Sequence, residues 1–179
     1  MHGLAIFGAL AVLGIAGASL LVLRRARALK ARHARFLGGA AAPVDPLATK
    51  LIDAPRALYH GTRFADEARL LAPAWGEACV VDLWLTEEAL FLQREAQGAL
   101  LVLPLSAVDD AALLRAFAPL AAKELPMLRL RWSRGGETVL TDLSLRGGMA
   151  SLETLRREIH LRQHNVAEKL APLFARLPP

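Results

Sequence analysis

The sequence predicts an α+β chain, mainly β: an N-terminal transmembrane helix, then short antiparallel strands closed by one helix. Three observations predict it. An uncharged apolar run occupies the start of the chain. Period-two alternation recurs between residues 79 and 145. An apolar i, i+3, i+7 stripe follows it.

The apolar run is Leu4 to Val22, continued by Leu23, with Ser19 as its one polar side chain. About 20 helical residues cross a ~30 Å hydrocarbon core, and a helix pairs its own backbone groups there. A cleaved signal peptide is the rival, because Ala16-Gly17-Ala18 has the small-x-small form of a cleavage site. No Lys or Arg precedes the run, it continues past that site, and a basic cluster follows directly, so an anchor is favoured.

That cluster is Arg24, Arg25, Arg27, Lys30, Arg32 and Arg35, and no acid occurs before Asp45. The chain's net charge of +5 is therefore local, and the remainder is close to neutral. A folded nucleic-acid binder is excluded on that ground. The positive-inside rule puts the basic flank in the cytoplasm. The expectation is a single-pass inner-membrane protein with its N-terminus outside and its C-terminal domain cytoplasmic. Strong helix formers carry the stem to Leu37, and Gly38-Gly39 stops it. Pro43, Pro46 and Pro55 make residues 38–55 a semi-rigid linker.

Residues 56–165 form the domain. Cys79, Val81, Leu83 and Leu85 alternate with Val80, Asp82, Trp84 and Thr86. After a short turn at Glu87-Glu88, Leu90 to Arg94 returns, and Gln97-Gly98 turns into Ala99–Leu105. Asp109 to Ala118 reads as a loop or short helix. Met127–Ser133 and Thr138–Leu145 make a hairpin around Arg134-Gly135-Gly136-Glu137. Ser151 is placed as a helix N-cap, and Leu152, Leu155 and Ile159 share a face. Residues 166–179 form an amphipathic tail interrupted by Pro172.

The blocks VDLWLTEEALFLQRE, LLVLPLSAVDDAAL, LRLRWSRGGETVLTDLSL and SLETLRREIHLRQ resemble a bacterial pleckstrin-homology-like domain of the group that includes GRAM-type domains. Tyr59-His60-Gly61-Thr62 resembles the "Y-x-G-T" opening of small membrane-anchored members. The resemblance runs from Leu58 to Gln163. It implies an antiparallel barrel of about seven strands with the helix plugging one end, and it names no catalytic motif.

The same Tyr59-His60-Gly61-Thr62 also opens the nicotinamide-binding strand of ADP-ribosyltransferases, which would make His60 a cofactor ligand. That pattern needs a second tyrosine, and Tyr59 is the chain's one tyrosine. No downstream Glu strand follows. His160 and His164 lie one turn apart without an H-E-x-x-H pattern, and no Gly-rich phosphate loop occurs. Cys79 is the single cysteine.

The expectation is a non-enzymatic docking or scaffold module, with no cofactor and no metal. It docks on a protein partner or on anionic lipid through Arg24, Arg25, Arg27, Lys30, Arg129, Arg131 and Arg134. Its expected partners are the bilayer and a membrane protein or a second copy, not nucleic acid. The alternatives are an ADP-ribosyltransferase-like enzyme using His60 and an accessory subunit of a membrane complex.

Overall fold

The computed structural model describes residues 19–36, 45–66, 75–95 and 99–174, with side chains as far as Gln163 at the C-terminal end. Two compact units result, Met1–Gly39 and Ala40–Pro179.

In the first unit, helix α1 covers residues 19–36. The expected span Leu4–Leu23 lies outside the described residues except for its last five. Among the described residues no helix is long and apolar enough to cross a membrane. The physical reason is composition: six of the residues of α1 are Arg or Lys. This overturns the expectation of a transmembrane helix, and with it the single-pass inner-membrane placement. The Gly38-Gly39 stop and the turn at Gln97-Gly98 lie outside the described residues.

The second unit contains β1 (Ile52–Phe64), β2 (Cys79–Leu85), β3 (Ala89–Arg94), β4 (Leu100–Pro104), β5 (Val108–Ala118), β6 (Lys123–Arg134), β7 (Glu137–Ser144) and helix α2 (Gly148–Phe174). All strand pairs are antiparallel, in the order β4-β3-β2-β1-β7-β6-β5. The expected seven-stranded barrel is corrected to one open sheet, because β4 and β5 are its two unpaired edges. The sheet is nevertheless rolled. Six strand spacings of about 4.8 Å would separate the edges of a flat sheet by roughly 29 Å. The link between those edges is the single 3₁₀ turn Leu105–Ala107, whose four residue steps reach about 15 Å at most.

Local chemistry explains the turns. Between β2 and β3, Thr86 Oγ1 accepts from the Ala89 and Glu88 amides at 3.2 and 3.4 Å. Between β6 and β7, Gly135 and Gly136 take φ of 60° and 76°, the left-handed pair that a two-residue hairpin turn requires.

Three elements depart from the sequence expectation. β1 begins inside the stretch read as linker. Pro55 falls at its bulge, where no ladder donor is required, and Arg56 there adopts φ 56°. Residues 109–118 are strand β5 rather than loop or helix, because β6 supplies a ladder along nearly their whole length. α2 begins at Gly148, three residues before Ser151, and its backbone continues through Pro172 to Phe174.

The core lies on the inner face of the rolled sheet. Leu83, Leu85, Leu90, Leu92, Leu103, Leu128, Leu130, Trp132 and Leu143 are buried there, and Leu152, Leu155 and Ile159 of α2 are fully buried as well. On the opposite face Trp84 stacks on Phe91, ring centres 5.1 Å apart, beside Val102.

Candidate docking surfaces

Four of the residues singled out by sequence lie on α1. Arg24, Arg25, Arg27 and Lys30 are all exposed. The turn before them is also exposed: Leu20 by 53%, Leu21 by 61%, Val22 by 67% and Leu23 by 55%. Four consecutive residues occupy every side of a helix. One whole turn is therefore apolar and open, and the next is basic and open.

The other three lie on the β6–β7 hairpin, and the sheet separates them. Leu128, Leu130 and Trp132 point into the core, so Arg129 and Arg131 point away from it, whereas Arg134 falls on the side of Trp132 by alternation. Arg129 is committed to a neighbour. Its Nε and a terminal nitrogen bind the two Asp142 oxygens at 2.7 and 2.9 Å. Arg63 on β1 binds the same carboxylate at 2.9 Å. Strands β1, β7 and β6 are thus clasped by one nearly buried carboxylate between two guanidinium groups. Burial pushes the Asp142 carboxyl up, but its hydrogen bonds and charge contacts with Arg129 and Arg63 outweigh that and hold it below the usual carboxylate range. Arg131 is exposed.

Beside this clasp, His60 Nε2 lies 3.0 Å from Ser144 Oγ. The pair has the residue types of an activated nucleophile, but the protons point the wrong way. Ser144 Oγ donates to the Pro126 carbonyl at 2.8 Å. A hydroxyl has one proton, so His60 Nε2–H donates to Ser144 and cannot serve as its base. His60 Nδ1 is left as a buried acceptor with no hydrogen-bond partner. Burial lowers the His60 pKa, and Asp142 opposes that only in part.

Tyr59 lies on the opposite side of β1 from His60 and is fully buried. Its hydroxyl bonds to the Trp75 carbonyl and lies 2.6 Å from Thr62 Oγ1. Thr62 Oγ1 is 2.7 Å from Thr141 Oγ1, and Trp132 Nε1 donates to Thr141 Oγ1 at 2.9 Å. The Trp75 carbonyl can only accept, which fixes the direction of the whole chain. Trp132 donates to Thr141, Thr141 to Thr62, Thr62 to Tyr59, and Tyr59 to Trp75. Each hydroxyl gives one bond and takes one. Tyr59 therefore has no ring face to offer a nicotinamide. Cys79, opposite Tyr59 in the β1–β2 register, has its thiol pushed up by burial, which disfavours the nucleophilic thiolate.

Among the described residues no group of three or more His, Cys, Asp or Glu is placed to hold a metal ion. Sequence reasoning found the outward arginines of β6 but missed Arg63, Asp142 and Ser144. Asp142 alternates with the core residues Thr141 and Leu143, and that was its one sequence signal.

No protein-family model matches the chain, and no curated protein matches it. Among solved structures, a chain of "The 8S snRNP Assembly Intermediate" is similar at 10% identity and a TM-score of 0.42, over 70% of this chain and 89% of that one. A likeness at this level carries no argument about fold or function.

Proposed function

We propose that the chain is a non-enzymatic docking module and that α1 seats it on an anionic lipid surface. The observation that supports this most strongly is the open apolar turn Leu20–Leu23 running directly into the open basic turn of Arg24, Arg25 and Arg27. Water suits the second turn and not the first; hydrocarbon suits the first and not the second. The boundary between headgroups and acyl chains suits both. In this arrangement the helix lies at the interface and does not cross it. The near neutrality of the rest of the chain supports the same assignment, since the attraction is confined to one end. The resemblance of the domain's sequence blocks to pleckstrin-homology-like modules favours docking over catalysis.

Each basic residue near an anionic surface contributes about 1 kcal/mol. The double variant Arg24→Gln/Arg25→Gln should therefore bind phosphatidylcholine vesicles containing phosphatidylglycerol about 30-fold more weakly than the full chain does. Vesicle flotation measures this. Undiminished binding by the variant would refute the role given to these arginines. Failure of the full chain to float at all would favour an acidic protein partner instead.

A further inference from the structure

The hairpin of β5 and β6 outruns its neighbour β7. The last pair between β6 and β7 is Leu128 with Leu143, and β7 ends at Ser144. β5 and β6 stay paired further, through Arg115 with Pro126, Ala116 with Leu125, Phe117 with Glu124 and Ala118 with Lys123. These steps of about 3.3 Å carry the two-stranded ribbon roughly 13 Å past β7. In water such an end is usually closed by polar turn formers such as Gly, Asn, Asp or Ser. Here residues 116–122 read AFAPLAA, without one polar side chain. Pro119–Ala121 make a 3₁₀ turn, and Ala122 adopts φ 51°, a left-handed position that Gly or Asn takes more readily. Phe117 is 63% exposed and Leu120 53%, and Pro119 is exposed as well.

We propose that this tip enters the acyl layer of an anionic membrane, an inference that rests on the lipid reading above and adds a second contact to it. Three observations select lipid as the occupant. The apolar groups face several ways: Phe117 continues the core-side face of β5, Ala116 and Leu125 the opposite face, and Leu120 the end. A groove on a protein covers one side of a ribbon, whereas an acyl layer surrounds it. The flanking charge matches an anionic surface. Arg115 and Lys123 are both exposed beside the tip and outnumber its one acid, Glu124, which is opposite Phe117. With the turn and Phe117 about 5–10 Å deep, Arg115, two residues behind Phe117, stands among the headgroups. The stem of Lys123 is long enough for its ammonium to reach the same level. Position is the third observation. β1 runs antiparallel to β7 and pairs with Ser144 at Leu58, so its start lies at the end of the sheet from which the tip projects. The chain that follows α1 enters the sheet there.

Fluorescence quenching on the full chain tests this, with phosphatidylcholine–phosphatidylglycerol vesicles brominated in the acyl chains. Trp75, Trp84 and Trp132 are all buried, so wild type supplies a background that the bromines quench little. Leu120→Trp should add emission that these vesicles quench strongly. The double variant Phe117→Ser/Leu120→Ser should keep the wild-type melting temperature, since both side chains are exposed. It should bind the vesicles roughly tenfold more weakly in flotation, because two apolar side chains no longer leave water. A Leu120→Trp chain that floats without added quenching would overturn the proposal and leave the seat of α1 standing, as would a double variant that binds as tightly as wild type. A wild-type chain that does not float at all would overturn both. A wild-type dimer in sedimentation velocity that the double variant loses, with vesicle binding unchanged, would assign the tip to a second copy and overturn the proposal.

Discussion

Thr141→Val tests the buried hydroxyl chain with little change of shape. Thr141 is fully buried, and its oxygen both accepts from Trp132 Nε1 at 2.9 Å and lies 2.7 Å from Thr62 Oγ1. Valine fills the same volume, so a cavity contributes little. What changes is hydrogen bonding. The Trp132 indole N–H loses its acceptor in a site closed to water, and Thr62 loses a donor. An orphaned buried polar group costs about 1–3 kcal/mol, and the second loss adds about 1 kcal/mol. The expected destabilisation is about 3 kcal/mol, a large share of the 5–15 kcal/mol typical of a whole domain. In a chain of this length that lowers the melting temperature by roughly 6–12 °C. Urea unfolding followed by tryptophan fluorescence gives the free energy, and a Trp132→Phe background supplies the control. There the orphaned donor is gone, so Thr141→Val should cost much less. A cost below about 0.5 kcal/mol in the wild-type background, or an equal cost in both, would refute the directed chain of hydroxyls.

Two further predictions concern the clasp beside it. Asp142→Asn keeps the shape but removes the charge that two guanidinium groups share. It should destabilise the domain by about 1.5–3 kcal/mol, the range for hydrogen bonds to a charged group, because the Arg63 and Arg129 side chains left behind keep 22% and 32% of their surface in water; chemical denaturation reads it. The Asp142 carboxyl titrates below its unfolded value, so its contribution is present above the unfolded pKa near 4 and is lost as pH falls through the folded one. Acid unfolding of wild type should therefore be steeper below pH ~4 than that of Asp142→Asn. His60 runs the same way for a different reason. Its folded pKa lies below 6.5, so the unfolded chain takes up the proton first, and stability falls as pH drops below about 6.5. His60→Gln should lose less stability than wild type between pH 7 and pH 5 in paired denaturation curves; an equal loss would show that the ring is not shielded.

The parts of this fold that were legible in the sequence are those set by local rules. Gly135-Gly136 announced a two-residue turn because few other residues tolerate positive φ twice in succession. Leu152, Leu155 and Ile159 announced the buried face of α2 by their spacing. The alternation of Leu128, Leu130 and Trp132 gave the inward face of β6, and so the outward direction of Arg129 and Arg131. The parts that were not legible depend on register. Asp109–Ala118 is rich in alanine and leucine, which favour helix, and only the ladder to β6 makes it a strand. Pro55 read as linker because a proline at a bulge and a proline in a spacer look alike in one dimension. His60 and Ser144 are 84 positions apart, and Arg63 and Asp142 are 79 apart. Neither pair is visible until the β1–β7 register is known. The apolar run at the start of the chain suggested a membrane span, but the helix described from residue 19 onward carries five arginines and a lysine. Its first turn is open and apolar, and its second is open and basic, which suits the edge of a lipid layer.

The seat of α1 on anionic lipid is tested most directly by the partition of the full chain between buffer and vesicles, with and without phosphatidylglycerol in phosphatidylcholine, over a series of salt concentrations. Arg24, Arg25, Arg27 and Lys30 at about 1 kcal/mol each predict a preference for the anionic vesicles of about a thousandfold at low salt, declining as salt is added. Equal partition into both kinds of vesicle at every salt concentration would contradict the account.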